Sequence, residues 1–347
     1  MDSIIRPIEW TGNSLRLLDQ RKLPREEIYV EISEPEEVIL AIVNMVVRGA
    51  PAIGVSAGFG VALASQKVSD KSYEEAVKYI KQFCIALSGA RPTAVNLRTV
   101  VERMLNVLDE LMPYQSITER LIKEANNVQN ETVKSDIDMS NLGSTLIPKD
   151  STVLTHCNTG PLATSGYGTA LGVIRKAWEL GRIKHVFATE TRPWFQGSRL
   201  TLWELKRLGV PATLIVDSAA GHLMNQGYVD CVLVGADRIT ANGDVANKIG
   251  TLNLAIIANS LGIPFFVVAP MTTLDFQLID GNEIQIEERD PREITEFLGE
   301  AISPLGAEAK NFAFDLTPNG YVDAIITDLG IVRKPYINSL KDLTEYG

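Results

Sequence analysis

An acid and a base follow a short apolar run in the second half of the chain. Cys231–Val234 predicts a buried strand, and a Gly-Ala step joins it to Asp237 and Arg238. In open parallel sheets, ligands bind just beyond the carboxyl ends of the strands. Asp237 could transfer a proton there, and Asn247 and Lys248, further along the chain, could contact an anion. The alternative is a salt-bridged loop that joins the strand to a helix.

A cysteine occupies the equivalent position after another predicted strand. The strand at 153–155 is followed by His156, Cys157 and Asn158. We expect Cys157 at the same carboxyl edge, near a helix N-terminus that would favour the thiolate. Alternation directs His156 to the opposite side, as a packed or supporting histidine. Cys157 is either a reactive thiol or a buried structural one, since Cys is among the most buried residue types.

Polar residues also end the two other strands predicted between these positions. Glu190, Arg192, Gln196 and Arg199 follow one strand, and Asp217 follows the next. A single polar strand end is usually structural. Four consecutive strands with such ends favour a catalytic crevice.

In the first half of the chain, two arginines lie beside prolines. Arg48 precedes Gly49, Ala50 and Pro51, and Arg91 begins an Arg-Pro-Thr-Ala run. Arginine binds phosphate through a fixed fork, and a glycine allows a backbone N–H to face an anion. Each arginine alone is more often a cation at a helix end. Together they could form a lid over a sugar phosphate.

The elements that position these residues fall into two groups. Residues 1–135 predict a mainly helical domain with a small sheet: strands lie within 10–18 and 28–32, and helices begin near Pro35, near 52, after Arg91 and at 116–134. Residues 136–347 predict a Rossmann-like α/β domain with a parallel sheet. Its strands are expected at 153–155, 186–188, 212–216, 231–234 and 265–269, with helices at 165–180, 200–208, 219–226 and 245–261.

Composition and charge argue against several classes of protein. The chain is 45% apolar and 22% charged, as in soluble globular proteins, and its net charge of −10 opposes binding to nucleic acid or anionic membranes. We find no apolar run of about 18 residues and no signal-peptide core. The three cysteines have neither disulfide-framework nor metal-ligand spacing. These residues predict a cytoplasmic α/β enzyme acting on a small anionic, phosphorylated substrate.

Several ordered segments resemble the methylthioribose-1-phosphate isomerase family, and the resemblance extends over nearly the whole chain. The segments are VRGAPAIG (47–54), RPTAVNL (91–97), THCN (155–158), YGTALG (167–172), ETRP (190–193), QGSRLT (196–201), GADRI (235–239), ANKIGT (246–251) and IEER (286–289). Several motifs in the family's order are far more specific than one.

The resemblance implies conversion of 5-methylthioribose 1-phosphate to 5-methylthioribulose 1-phosphate in methionine salvage, by a homodimer without a metal or organic cofactor. Cys157 matches the family's catalytic cysteine, which assists hydrogen transfer, and Asp237 matches its proton donor. The residues that match its substrate-binding positions are Arg48, Gly49, Ala50, Arg91, Gln196, Asn247 and Lys248. Proton transfer and hydride transfer between C2 and C1 are both compatible with these residues.

The chain departs from the family pattern at Thr159 to Pro161, at Val245, at Leu252 and at Phe312. Substitutions that line the site would bear on the group at C5 of the sugar. The departures therefore leave a 5-deoxyribose 1-phosphate isomerase as an alternative. Two remoter ones are a ribose 1,5-bisphosphate isomerase and a non-catalytic regulatory subunit of the translation-initiation guanine-nucleotide exchange factor. A non-catalytic subunit would not need both Cys157 and Asp237.

Overall fold

The computed structural model describes residues 5–91, 95–110, 116–297 and 299–346. The chain divides into two compact units. The first contains Met1–Ile137 and Gly160–Gly168, and the second contains Asp138–Thr159 and Thr169–Gly347. The return of residues 160–168 to the first unit was not predicted from the sequence.

The first unit begins with a three-stranded antiparallel sheet. Its strands are β1 (Ile8–Trp10), β2 (Leu15–Leu18) and β3 (Tyr29–Ile32), hydrogen-bonded in that order. The strands predicted within 10–18 and 28–32 are confirmed as β2 and β3, whereas β1 begins before the predicted range. The inward side chains of β2, Leu15 and Leu17, are fully buried.

Helices form the rest of the first unit, and one of them is buried along most of its length. They are α1 (Pro35–Val43), α2 (Ala50–Lys67), α3 (Tyr73–Ser88), α4 (Val95–Asp109), α5 (Ile117–Ser144) and the short α6 (Pro161–Thr164). Small residues let neighbours approach α2 closely: a Cβ on Gly54 would lie 3.2 Å from the Asn96 carbonyl oxygen of α4. Helix α5, predicted to end near 134, continues to Ser144 and leads into the second unit.

A buried carboxylate keeps residues 160–168 in the first unit. Asp136 accepts hydrogen bonds from Thr164 Oγ1 at 2.6 Å and from the backbone N–H of Gly168 at 2.8 Å. It also accepts one from the N–H of Tyr167 at 3.2 Å. These donors compensate the cost of burying the Asp136 charge.

The second unit is an α/β structure built on three sheets. Its strands are β4 (Ser151–Thr155), β5 (Ile183–Thr189), β6 (Ala212–Ile215), β7 (Cys231–Val234), β8 (Arg238–Thr240), β9 (Val245–Lys248), β10 (Phe265–Val268), β11 (Leu274–Asp275), β12 (Glu296–Phe297), β13 (Glu300–Ala301), β14 (Phe314–Thr317), β15 (Ala324–Ile326) and β16 (Ile331–Val332). Its helices are α7 (Ala170–Glu179), α8 (Leu202–Arg207), α9 (Ala220–Asn225), α10 (Thr251–Leu261), α11 (Arg292–Thr295) and α12 (Tyr336–Tyr346).

The main sheet has seven strands in the order β16-β15-β10-β7-β4-β5-β6. All neighbours are parallel except β15 and β16. The chain fills the sheet outward from β4 in one direction and then restarts at β7 on the other side. This is the order of a doubly wound fold, with its reversal between β4 and β7. The predicted fold class is confirmed, and β15 and β16 extend the predicted five strands.

Apolar residues of the main sheet alternate between two cores on its opposite faces. Leu154, Val232 and Val267 contribute to one core, and Val153 and Leu233 to the other. Strands buried on both faces have continuous apolar sequences, and this explains why these strands could be predicted.

A smaller four-stranded sheet, with the order β11-β8-β9-β14, follows β7. The helix predicted at 245–261 is wrong in its first part, because Val245–Lys248 is strand β9, paired antiparallel with β14. The helix predicted at 165–180 begins only at Ala170. None of the described helices is long and apolar enough to span a membrane.

Candidate active site

Cys157 lies two residues beyond the end of β4, in a strained backbone conformation. Its side chain is buried and its φ is 62°. Its N–H donates to Thr191 Oγ1 at 2.9 Å, and its carbonyl accepts from Thr201 Oγ1 at 2.5 Å. Left-handed backbone costs energy in residues other than glycine and is concentrated at functional sites. The two hydrogen bonds therefore fix the Cys157 backbone at its N–H group and at its carbonyl group.

The helix N-terminus expected near Cys157 belongs only to a very short helix. Residues Pro161–Thr164 form only the four-residue α6, and the longer α7 begins at Ala170. The field of a helix is effective only within its first turn. The field of a long helix therefore does not act on the Cys157 thiol.

Thr191 lies in the loop after β5, two residues beyond the end of this strand, and, like Cys157, has a positive φ. Its φ is 61°, which is an outlier for a β-branched residue. Asp217 fixes this loop by accepting the N–H groups of Thr191 at 2.7 Å and of Arg192 at 2.8 Å. Asp217 follows β6, so the polar end of one strand supports the loop of its neighbour. Burial and the Asp217 charge raise the pKa of Glu190 in the same loop.

The two arginines of this loop contact its own backbone. Arg192 Nη1 donates to the Pro193 carbonyl at 3.1 Å, and Arg199 Nη1 donates to the Trp194 carbonyl at 3.1 Å. Much of the polarity that marked this strand end in the sequence therefore stabilises the loop.

His156 links the Cys157 turn to the segment that follows β9. One ring nitrogen, Nε2, lies 2.9 Å from the Ile249 carbonyl oxygen, and Nδ1 lies 2.6 Å from Thr189 Oγ1. A carbonyl only accepts, so Nε2 carries the proton and Nδ1 accepts from Thr189. Burial lowers the pKa of His156 and keeps the ring neutral. The expectation of a supporting histidine agrees with this environment.

Asp237 lies in the loop between β7 and β8 and is half-buried. Its N–H donates to the Ala246 carbonyl at 2.9 Å, so it begins the β8–β9 hairpin. Arg238 extends towards Asp275, with Nη1 3.7 Å from Oδ2. Arg238 therefore has an acidic neighbour in the strand β11, which pairs with β8.

The loops that carry Cys157 and Asp237 touch each other. A Cβ on Gly235 would lie 2.9 Å from Thr159 Cγ2, so the lack of a side chain at Gly235 allows this close approach. Strands β4 and β7 are neighbours, with Thr155 paired to Leu233. Both candidate catalytic residues consequently follow the two strands that flank the reversal of strand order.

Asn247 and Lys248 end β9, in the hairpin that Asp237 begins. Asn247 is buried, and its Nδ2 donates to Thr251 Oγ1 at 3.0 Å. Lys248 Nζ donates to the Ala313 carbonyl at 2.8 Å and lies 4.6 Å from the centre of the Phe314 ring. These contacts hold the Lys248 ammonium group at the end of the strand.

Asp315 supports the turn that follows Lys248. Its carboxylate accepts from the N–H of Gly250 at 2.7 Å and of Leu252 at 3.1 Å, at the N-terminus of α10. Burial raises the pKa of Asp315 to about 6. Sequence reasoning did not identify Asp315. The only available signal was its place in a segment that departs from the family pattern.

Gln196 is buried directly before a π-helical turn, Gly197–Thr201. Its Oε1 is a buried oxygen without a hydrogen-bond partner among the described residues. A buried acceptor without a donor is costly, so this oxygen is available to a ligand that donates a hydrogen bond. A Cβ on Gly197 would lie 1.7 Å from the Thr189 carbonyl oxygen, and this close approach fixes Gln196 beside β5.

The other predicted binding residues lie in the first unit. Arg48 precedes α2, Gly49 is the residue before its first turn with φ of 97°, and Ala50 begins the helix. A Cβ on Gly49 would lie 2.5 Å from the Ala163 carbonyl oxygen. Arg91 is half-buried and follows α3. Residues 92–94 of its motif lie outside the described residues.

Among the described residues, no group of three or more His, Cys, Asp or Glu side chains could hold a metal ion.

Comparison with known sequences shows similarity along most of the chain. The sequence model of the Initiation factor 2 subunit family matches residues 46–334. A curated methylthioribose-1-phosphate isomerase from Geobacter sulfurreducens is 48% identical over 340 residues, which cover 97% of this chain and 98% of the relative.

Two solved structures resemble the whole chain. The 5-methylthioribose 1-phosphate isomerase of Pyrococcus horikoshii OT3 has a TM-score of 0.93 at 42% identity, covering 99% of this chain and 96% of that one. A structure described as translation initiation factor eIF-2B, subunit delta, from A. fulgidus has a TM-score of 0.89 at 40% identity, covering 99% of this chain and 100% of that one.

Proposed function

The chain belongs to the Initiation factor 2 subunit family and, within it, to the methylthioribose-1-phosphate isomerases, and from this membership we propose that it converts 5-methylthioribose 1-phosphate to 5-methylthioribulose 1-phosphate. It is an isomerase. One observation carries the proposal of where the chemistry occurs: Cys157 and Asp237 follow β4 and β7, which flank the reversal of strand order. Doubly wound sheets bind their ligands at this point.

The reaction needs a proton donor because phosphate blocks the anomeric carbon. The bond between C1 and the ring oxygen breaks, and we assign to Asp237 the proton that the ring oxygen gains. The hydrogen on C2 moves to C1, and the C2 hydroxyl releases its proton to solvent as C2 becomes a carbonyl. This release balances the proton gained by the ring oxygen. The place of Asp237, directly after β7 at the reversal of strand order, supports this role.

We assign to Cys157 the assistance of hydrogen transfer at C2, either as a base or by shaping an apolar environment. Its burial and its fixed, strained backbone support either function. Solvent deuterium incorporated at C1 of the product would indicate proton transfer, whereas hydride transfer requires complete retention of the C2 hydrogen at C1.

Substrate binding is assigned to the residues that match the family's binding positions. Arg48, Arg91 and Lys248 carry the positive charge for the phosphate, and Gly49 and Ala50 supply the start of a helix. Gln196 and Asn247 supply polar groups for the sugar. The buried Gln196 oxygen without a partner supports this assignment, because a sugar hydroxyl can donate to it.

Two departures from the family pattern have structural contacts within the second unit. Val245 is fully buried in the apolar core, and Thr159 Oγ1 accepts the Leu171 N–H at 3.1 Å. The similarity to methylthioribose-1-phosphate isomerases, at 48% and 42% identity, favours the methylthio sugar over its 5-deoxy counterpart.

Parallel assays of the purified protein test this assignment. The 1-phosphates of methylthioribose, 5-deoxyribose and ribose 5-phosphate are compared by kcat/KM. We expect methylthioribose 1-phosphate to give the highest value. A higher value for 5-deoxyribose 1-phosphate would replace the proposed substrate, and no turnover of any of the three would overturn the proposed reaction.

We propose further that the protein acts as a homodimer in the cytoplasm, as the family resemblance implies. Sedimentation at micromolar concentration should then show twice the chain mass of 38.0 kDa. A species of 38.0 kDa alone would contradict the dimer.

A further inference from the structure

The side chain of Gln20 connects Arg48 to another part of the first unit. Gln20 is 2% exposed and follows β2. Its Nε2 donates to the Leu162 carbonyl at 2.7 Å, and its Oε1 accepts from Arg48 Nε at 3.2 Å. Only this orientation of the amide satisfies both contacts, because a carbonyl cannot donate and a guanidinium cannot accept.

The backbone around Gln20 supports the same connection. Its N–H donates to the Val46 carbonyl at 3.0 Å, two residues before Arg48. On the other side of Arg48, Gly49 packs so closely on Ala163 that a Cβ would lie 2.5 Å from its carbonyl oxygen. Arg48 is thus held through its backbone neighbours and through Nε.

We propose that Gln20 is a positioning residue that fixes the Arg48 guanidinium for the substrate phosphate; this rests on the proposed function. An arginine side chain loses considerable rotamer freedom when it binds an oxyanion, and a guanidinium that is already oriented loses less. Gln20 itself does not touch the substrate.

Two substitutions at Gln20 separate this role from packing. Gln20→Met keeps an unbranched chain of similar length and removes both hydrogen bonds, so we expect KM to rise about tenfold while kcat changes by less than about twofold. Gln20→Glu keeps an acceptor for Arg48 but adds a carboxylate that competes with phosphate. It should raise KM more than Gln20→Met does.

Gln129→Met is the matched control. Gln129 Nε2 also donates to a backbone carbonyl of the first unit, that of Ile8, at 3.1 Å. Its replacement removes a similar hydrogen bond, and we expect KM to stay unchanged. A rise in KM equal to that of Gln20→Met would show a general effect of loosening the unit and would overturn the proposal.

A double-mutant cycle tests whether Gln20 acts through Arg48. In an Arg48→Ala background, Gln20→Met should change KM by less than about twofold, because the group it positions is absent. Additive effects would overturn the proposal.

The rise in melting temperature caused by inorganic phosphate, compared between wild type and Gln20→Met, measures anion binding without turnover. It therefore tests Gln20 even where the isomerase assignment fails, and an equal rise in both proteins would contradict the proposal.

Discussion

Cys157 and Thr191 are joined by a hydrogen bond and share an unfavourable backbone conformation. The Cys157 N–H donates to Thr191 Oγ1 at 2.9 Å, and the φ angles are 62° and 61°. The two residues follow the neighbouring strands β4 and β5. Each turn thus stabilises a conformation in the other that an isolated loop would not keep.

Removal of the Thr191 hydroxyl should affect the Cys157 turn selectively. Thr191→Val keeps the β-branched shape but leaves the Cys157 N–H without its acceptor. We expect kcat to fall about tenfold, as for the loss of one buried hydrogen bond. Thr191→Ser keeps the acceptor and should stay within about threefold of wild type. Equal kcat values for the two variants would show that the hydrogen bond has no role in turnover.

Replacement of the candidate catalytic groups should act mainly on kcat. Asp237→Asn and Cys157→Ala should each lower kcat at least about 10²-fold, the lower limit for a general acid or base, with a smaller change in KM. Cys84→Ala is a control for loss of a thiol, because Cys84 is a buried core residue of the first unit. It should lower the melting temperature and leave kcat unchanged. Near-normal turnover in either test variant would remove that residue from the mechanism.

A side chain at Gly49 should be tolerated much less well than a side chain at Gly12. Gly12 has a similar φ but open space around it. The φ of Gly49 is 97°, and a new Cβ would meet the Ala163 backbone at 2.5 Å. Gly12 has φ of 104° and nothing within 4 Å of a new Cβ. Gly12→Ala should cost about 1 kcal/mol through backbone strain alone, whereas Gly49→Ala should cost about 3 kcal/mol by urea denaturation. Equal losses would show that the Ala163 backbone moves aside readily.

The sequence predicted the location of Cys157 and Asp237 because local signals determine strand ends. Buried parallel strands are continuous apolar runs, and the polar residues directly after β4 and β7 therefore mark one edge of the sheet. Strand β9 was missed because periodicity does not separate strand from helix in a run as short as Val245–Lys248. One of its two partners, β8, is close in the chain, but the other, β14, lies about 70 residues later.

The side-chain hydrogen bonds that hold the candidate site residues in place could not be predicted from the sequence, for a related reason. His156 bonds the Ile249 carbonyl across 93 residues, and Gln20 bonds Arg48 across 28. Side-chain hydrogen bonds of this kind leave no periodicity in the sequence, since each depends on how distant elements pack. The family resemblance identifies residues that match binding motifs, but not the residues that hold them.

The carboxyl group of Asp315 should make folding stability depend on pH in an unusual direction. Burial raises its pKa from an ordinary value of 3.8 to about 6, despite the opposing effects of the Gly250 and Leu252 N–H groups and of the Lys248 charge. Between these two values the folded chain holds a proton that the unfolded chain has released. The contribution of Asp315 to the free energy of unfolding is therefore fully present below pH 3.8, and it is lost as the pH rises through about 6.

Asp315→Asn removes this titration and isolates its effect. A pKa change of this size corresponds to about 3 kcal/mol. The free energy of unfolding of wild type, minus that of Asp315→Asn, should therefore fall by up to about 3 kcal/mol between about pH 4 and about pH 7. Urea denaturation of both proteins across this interval measures the difference, and subtraction cancels the titration of all groups that the substitution leaves unchanged. A difference that stays constant, or that grows with pH, would show that the Asp315 carboxylate is stabilised at the α10 N-terminus more than burial destabilises it.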